Sequence, residues 1–313
     1  MTHSSVLPLL LLLGTCSVYT YQNVALRGKA SQSGSNPDYY GDADKAIDGS
    51  RESNYLAGSC TSTGEMTNPW WRVDLLESYI VTSIIITNRG DCCAGRLDGA
   101  EIHIGDSLTY NGAANPVAGV ISHIPEGVSY IMTFTEPVEG CYVTVVLPGL
   151  KKTLTLCELE VYGYRAPTGA NLALQGKASQ SSVQYFQGLA YNAIDGNRAS
   201  KWGQDSCIHT KNDLNPWWRL DLVETHKIFS VKVTNTLDNG ATRLNGAEIR
   251  IGDSLENNGN SNPRCALISS ISAGFTETFE CNGMDGRYVT IVIPGRKEYL
   301  IFCEVEVYGS RLD

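Results

Sequence analysis

Eight residues, Arg89-Gly90-Asp91-Cys92-Cys93-Ala94-Gly95-Arg96, bring together two guanidinium groups, one carboxylate and two adjacent cysteines. A carboxylate between two arginines can hold their planar forks in fixed geometry, and such forks hydrogen-bond the hydroxyls of a polar ligand. Adjacent cysteines can bridge each other through an eight-membered ring, which makes a small, flat apolar platform. The β-branched run Ile80 to Thr87 just before the stretch reads as a buried strand. The eight residues are therefore a loop at a strand end, where a rigid scaffold presents binding groups. The competing reading is a surface turn with scattered charges and two unrelated thiols.

The positioning elements follow from the whole chain. Its 313 residues suggest about two domains. With 24 basic against 33 acidic residues, the net charge of −9 argues against nucleic acid and anionic membranes as partners. The apolar run Leu9 to Leu13, ending in Gly14-Thr15-Cys16-Ser17, predicts a secretory signal peptide over residues 1–20. No second long apolar run follows, so the expectation is a secreted, extracellular chain without membrane insertion. Cys16 leaves with the signal, and the other nine cysteines read as a disulfide set with one odd thiol. No Asn-x-Ser/Thr sequon is present.

The chain is one unit written twice. Asn23 to Ser33 recurs as Asn171 to Ser181, Asn68-Pro69-Trp70-Trp71-Arg72 as Asn215-Pro216-Trp217-Trp218-Arg219, and Cys157 to Gly163 as Cys303 to Gly309. The first residues of these pairs stand 148, 147 and 146 positions apart, so only single-residue insertions separate the copies. The predicted units are residues 21–164 and 171–313, with a Pro/Gly linker over 165–170. Within each copy, short alternating runs such as Trp71 to Leu75 are separated by Gly, Asn, Asp and Pro. No amphipathic helical stretch of ten residues appears. The expected fold is all-β, two tandem β-sandwiches. Matching the copies predicts bridges Cys60–Cys157 and Cys207–Cys303. Cys265–Cys281 would be private to copy two, leaving Cys92–Cys93 as a vicinal pair and Cys141 odd.

The Arg89-x-Asp91-x4-Arg96 loop, the Asn68-Pro-Trp-Trp-Arg72 run and the Cys157-Glu158 element together resemble the F-type lectins, or fucolectins. The resemblance covers both copies nearly end to end, and the tandem layout is similar to the two-domain lectins of bony fish. It implies jelly-roll, discoidin-like sandwiches that bind terminal L-fucose on glycans in innate recognition, without enzyme activity. Fucosylated glycans are the implied partners, and self-association is left open. The family motif places a His 27 residues before the first Arg; the His reads fucose's axial hydroxyl and the basic pair its other oxygens. The Asp orients the basic pair, and the vicinal disulfide packs on the sugar ring. In copy one, Arg89, Asp91, Cys92, Cys93 and Arg96 match, while Ser62 holds the His position. In copy two, His209, Asp238 and Arg243 match; Thr236 replaces the first Arg and Asn239-Gly240 the cysteines. His209 is expected to titrate near its reference value of about 6.5.

The resemblance also implies one structural calcium ion per domain. Side chains of Asp48, Ser59 and Glu158, with backbone oxygens of Lys45, Ser50 and Cys157, would hold it in copy one. Asp195, Ser206 and Glu304, with backbone oxygens of Asn192, Asn197 and Cys303, would do so in copy two. Such hard oxygen donors suit calcium.

Several motifs point elsewhere. Arg89-Gly90-Asp91 spells an adhesion tripeptide, but copy two reads Thr236-Leu237-Asp238. Gly105-Asp106-Ser107-Leu108 and its repeat resemble a serine-hydrolase signature without a base downstream. His103, opposite Arg250 in the repeat, is expected on a solvated face, and His123 and His226 lack metal-binding company. At least one Trp of each Trp-Trp pair is expected in the core. The rival to the lectin reading is a discoidin-like adhesion module that recognises protein or phospholipid.

Overall fold

A computed structural model describes residues 21–34 and 41–312, so the expected signal peptide lies outside the described residues. The first copy contains β1 (Lys29–Gln32), β2 (Trp70–Thr87), β3 (Glu101–Gly105), β4 (Val117–Val120), β5 (Ser129–Val146) and β6 (Glu158–Arg165). The second repeats them as β7 (Lys177–Gln180), β8 (Trp217–Thr234), β9 (Ala247–Gly252), β10 (Arg264–Ile268), β11 (Thr276–Val292) and β12 (Glu304–Arg311). Short 3-10 turns join them, and no α-helix occurs among the described residues. β6 ends at Arg165, one residue inside the expected linker.

Each copy is built on one long bent strand. In copy one the order is β1-β2-β5-β3-β4, all antiparallel, and β6 also pairs with β2. β1 covers Trp71 to Asp74 on one edge of β2, and β6 takes over along Tyr79 to Thr87. The register breaks between Asp74 and Tyr79 and again between Val81 and Ser83. The second break is a bulge that switches the buried side from odd positions (Trp71, Val73, Leu75, Tyr79, Val81) to even ones (Ile84, Ile86). One extra residue thereby keeps both halves of the strand facing a core. β8 repeats the device, with its break between Ile228 and Ser230.

Trp71 and Trp218 are fully buried, and each indole N–H donates to a backbone carbonyl, Ala43 and Ala190, at 2.9 Å. Their neighbours Trp70 and Trp217 lie half-exposed beneath Arg72 and Arg219. The Trp-Trp pairs are thus one core anchor and one surface ring each.

Four disulfides form as the copy comparison predicts: Cys60–Cys157, Cys92–Cys93, Cys207–Cys303 and Cys265–Cys281. Cys141 is free, and its thiol donates to Asp74 Oδ1 at 3.4 Å. Its counterpart Arg287 forks onto Asp221, the counterpart of Asp74, at 2.7 and 2.8 Å. The odd thiol therefore stands where the other copy has an arginine. Burial and the Asp74 carboxylate push it up to about 11, so it is a poor nucleophile. Cys60 and Cys157 are 97 positions apart. Replacing both by alanine is expected to cost on the order of 4 kcal/mol, read as a lower midpoint in urea unfolding.

One expectation fails in the sheet. His103 is not on a solvated face: it is buried, with Nδ1 2.8 Å from the Asn115 carbonyl and Nε2 3.2 Å from Glu101. Its counterpart Arg250 meets the matching partners, Asn262 and Glu248, but its longer side chain stays half-exposed. The shorter ring reaches the same two partners only by sinking between them.

Candidate functional site

β2 ends in Thr87, and buried Asn88 fixes the loop that follows. Its side-chain amide donates to the carbonyls of Ala94 and Ile124, and its Oδ1 accepts from Arg89 N–H. Asn235 does the same in copy two with Ala241, Ile271 and Thr236. Sequence reasoning missed this residue, although the Thr-Asn dipeptide before both loops was a visible signal.

In copy one, Arg89 forks onto Asp91, Nε to Oδ1 at 2.8 Å and Nη2 to Oδ2 at 2.6 Å. Its guanidinium also lies 4.4 Å from the centroid of the Tyr55 ring, and Asp91 accepts the Tyr55 N–H at 3.0 Å. The Arg89 hydrogen bonds hold the Asp91 carboxyl at about 2. Arg96 is different. Its guanidinium has no hydrogen-bond or ion-pair partner among the described residues, and Asp91 orients Arg89 alone rather than both arginines. The Cys92–Cys93 disulfide lies between the two cations in sequence, with Cys93 in the left-handed region at φ 68°.

The loop is pressed against Ser53, whose hydroxyl a Cβ at Gly90 would displace, and copy two carries Leu237 at this position. Arg89 and Asp91 are occupied with each other, so the adhesion tripeptide does not present its two charges.

Ser62, at the His position of copy one, is 1 % exposed, and its hydroxyl donates to the Thr63 carbonyl. His209 makes the equivalent bond from Nδ1 to the Thr210 carbonyl at 2.7 Å, which leaves Nε2 as an acceptor. The His209 ring sits 5.4–5.6 Å from the rings of Tyr185, Trp202 and Tyr299. Arg243 lies 4.7 Å from the Tyr299 ring and 3.9 Å from Glu298. His209 and Arg243 therefore converge through Tyr299, and this aromatic surround was not foreseen. Asp238 accepts the Trp202 N–H at 2.6 Å, as Asp91 does from Tyr55. Thr236 is fully buried and donates to the Ser200 carbonyl, so copy two presents no first cation.

Burial, the largest cause, with nearby Arg243 in the same direction, lowers His209 below the ordinary 6.5, which corrects the expectation of a reference value. A base lowered on folding loses stability as pH falls from 6.5 toward its folded value. Protonation would also remove the Nε2 acceptor and set a second cation beside Arg243. Ligand affinity at copy two is therefore expected to fall in acid below pH 6.5. Copy one, whose loop has no histidine and whose Asp91 stays ionised to about pH 2, should stay level from pH 8 to 4 when calcium is kept saturating. Titrations of the full chain with the other site silenced by Arg243→Ala or Arg96→Ala check this, and equal pH profiles would refute it.

Two of the expected metal ligands of each copy, Asp48 with Glu158 and Asp195 with Glu304, lie close enough for one carboxylate to act on the other. Glu158 is fully buried; Oε1 accepts the Gly49 N–H at 3.1 Å, and Oε2 has no partner among the described residues. Glu304 repeats this with Gly196 at 3.0 Å and its own orphaned Oε2. Burial, with Asp48 or Asp195 adding repulsion, pushes each carboxyl up to about 8. Asp48 and Asp195 cap Ser50 and Asn197 N–H at 2.8 Å. Ser59 and Ser206 are buried, donating to the Asn54 and Ala199 carbonyls with oxygen lone pairs to spare. Lys45 lies in a 3-10 turn, and the Asn192 side chain ties that turn of copy two to the Gln187 and Cys207 carbonyls. The Cys157 and Cys303 N–H groups donate to Thr87 and Thr234. No group of three His, Cys, Asp or Glu forms among the described residues; the expected set holds only two carboxylates per copy and completes itself with hydroxyl and backbone oxygens. A buried, half-unpartnered carboxylate beside a second carboxylate fits a hard cation.

Comparison with known proteins agrees with this layout. The family described as "NedA-like, galactose-binding domain" matches residues 45–145 and 192–291, once in each copy. A fucolectin of Anguilla anguilla is 48% identical over 146 residues, 46% of this chain and 92% of the relative. Fucolectin-4 of Anguilla japonica is 50% identical over the same length, 80% of that protein. The crystal structure of an F-lectin (fucolectin) from Morone saxatilis serum superposes at a TM-score of 0.89 with 68% identity, covering 94% of this chain and all of the other.

Proposed function

Because the chain belongs to the F-type lectins, or fucolectins, and is a lectin rather than an enzyme, we propose that it is a secreted, calcium-stabilised lectin that binds terminal L-fucose on glycans and agglutinates fucosylated surfaces in innate recognition. The observation that carries the sugar reading is the loop of copy one. A forked, ionised Arg89–Asp91 pair stands next to a vicinal disulfide, and Arg96 offers donors that no described residue uses. Hydroxyls lying against this loop meet fixed charged donors on one side and an apolar patch on the other, which suits a deoxy sugar with one methyl face. In copy two, Arg243 supplies the donors, and neutral His209 accepts a hydroxyl proton at Nε2 among three aromatic rings.

The calcium reading is supported by the orphaned Glu158 and Glu304 oxygens. When bound, the ion would neutralise a buried carboxylate, Glu158 or Glu304, beside the exposed carboxylate of Asp48 or Asp195, and it would supply no contact to the sugar. The expected leader and the four disulfides support secretion. A glycan array with and without chelator tests the proposal. Fucose-terminated glycans should dominate, competed by free L-fucose, and retention on protein or phospholipid instead would favour the adhesion reading.

A further inference from the structure

From Asp48 to Tyr55 the chain is irregular, yet alternate residues are tied down. Gly49 N–H donates to Glu158 Oε1 at 3.1 Å, and the Arg51 guanidinium forks onto Glu160, with Nη2 2.9 Å from Oε2. The Ser53 carbonyl accepts from Gly90 N–H at 2.8 Å, and Tyr55 N–H donates to Asp91 at 3.0 Å. Copy two repeats the alternation. Gly196 meets Glu304 at 3.0 Å, Arg198 forks onto Glu306 with Nη2 2.7 Å from Oε2, Ser200 accepts from Leu237 N–H at 2.8 Å and Trp202 donates to Asp238 at 2.6 Å. Two ties hold the segment to the strand that carries Glu158 or Glu304, and two hold it to the sugar loop. It is a strap between the two sites.

Of the four ties, only the arginine's is side chain to side chain. Glu160 and Glu306 are buried, and the second oxygen of each also takes a hydroxyl, from Tyr162 or Tyr308. The copies have diverged at the sugar loop, where Gly90 faces Leu237, Tyr55 faces Trp202 and the cysteine pair faces Asn239-Gly240. The Arg–Glu–Tyr set is the same in both.

We propose that Arg51, Glu160 and Tyr162, and likewise Arg198, Glu306 and Tyr308, form a clasp that positions the strap, so that calcium and sugar binding within one copy strengthen each other. The clasp ligates neither. It fixes the strap midway, so that ordering the Asp48–Ser50 end by the ion also orders the Tyr55 end against Asp91, and the reverse. Coupling of this kind is reciprocal. The proposal rests on the calcium reading above. It differs from a plain surface ion pair, which adds little to folding, because Glu160 is buried although the Arg51 side chain is half-exposed.

The test is calorimetric titration of the full metal-free chain with calcium, with and without saturating L-fucose, alongside its melting in chelator. Wild type should take up two calcium ions and bind them more tightly with fucose. Arg51→Met should weaken one of the two ions by about 10- to 100-fold, the range for losing a group that orients a ligand. It should leave the other ion unchanged, and first-copy fucose affinity should no longer depend on calcium. Arg51→Lys, a point charge that cannot fork, should recover part of the loss. Tyr162→Phe should move both affinities less and in the same direction, and it carries the test alone if Arg51→Met does not fold. Unchanged calcium affinities in both variants, or a lowered metal-free melt with normal calcium affinity, overturns the clasp. No calcium uptake by wild type overturns the calcium reading itself, and the clasp with it.

Discussion

Withdrawing calcium is expected to lower the melting temperature of both copies by roughly 5–10 °C. At a free concentration about 100 times its dissociation constant, an ion bound only by the folded chain contributes about 2.7 kcal/mol. For units of this size, about 1 kcal/mol moves the midpoint by a few degrees. The reason to expect it in both copies is local. Glu158 and Glu304 are each fully buried with one oxygen unpartnered, and the nearest charge in each case is another carboxylate. Without the ion, such a group relieves its desolvation only by staying protonated, which is why each carboxyl is pushed up to about 8. Removing the demand instead of the ion should give a complementary result. Glu158→Gln is expected to abolish the calcium-dependent part of the first copy's melt and leave that of the second. Scanning calorimetry in calcium and in chelator reads both effects, and superimposable melts in the two buffers would reject the metal.

What the chain alone revealed and what it hid divide along a physical line. Periodicity and repetition carried the sandwiches, because a two-residue alternation and a doubled motif are written in residue order. The disulfides were legible for the same reason, since matching cysteines between copies needs no coordinates. The Arg-Asp-Arg loop was legible as a cluster, but not its internal partnership. Asp91 could have served either arginine, and only its two hydrogen bonds from Arg89 show which one it holds. Histidines were the weakest readings. His103 lies between two isoleucines and His209 follows one, yet residue order does not show that folding buries both, and burial is what lowers His209. The aromatic surround of His209 comes from Tyr185, Trp202 and Tyr299, which no spacing rule would gather. The strap was invisible for another reason. Three of its four ties in each copy use the strap's own backbone, to which any residue type could contribute, and their carboxylate partners lie far away in the chain.

Copy one should bind L-fucose more tightly than copy two, and Arg96→Ala should remove most of that binding. A hydrogen bond to a charged group contributes about 1.5–3 kcal/mol, so losing the Arg96 donors predicts a fall of roughly 10- to 150-fold. Arg96 has no other described partner, so the truncation orphans nothing and the melting temperature should stay put. Arg89→Ala would be a poorer probe, because it also strips Asp91 of its cation and uncovers Tyr55. The ranking of the copies follows from what each lacks. Copy one lacks the His acceptor, since Ser62 is buried and already bonded to Thr63, a deficit of about 0.5–1.5 kcal/mol that a bridging water can reduce. Copy two lacks a charged donor, because Thr236 is buried against Ser200, and it lacks the disulfide platform as well. Its Arg243 is further engaged by Tyr299 and Glu298, so a sugar must compete for it. Weaker binding of altered preference is the expected result there, and two unequal sites on one chain still gain avidity on a glycan-dense surface. Titrating L-fucose into the Arg243→Ala and Arg96→Ala chains isolates each site in turn. Tighter binding by the chain that retains only copy two would reverse the ranking, and undiminished first-copy affinity in Arg96→Ala would remove the guanidinium from the site.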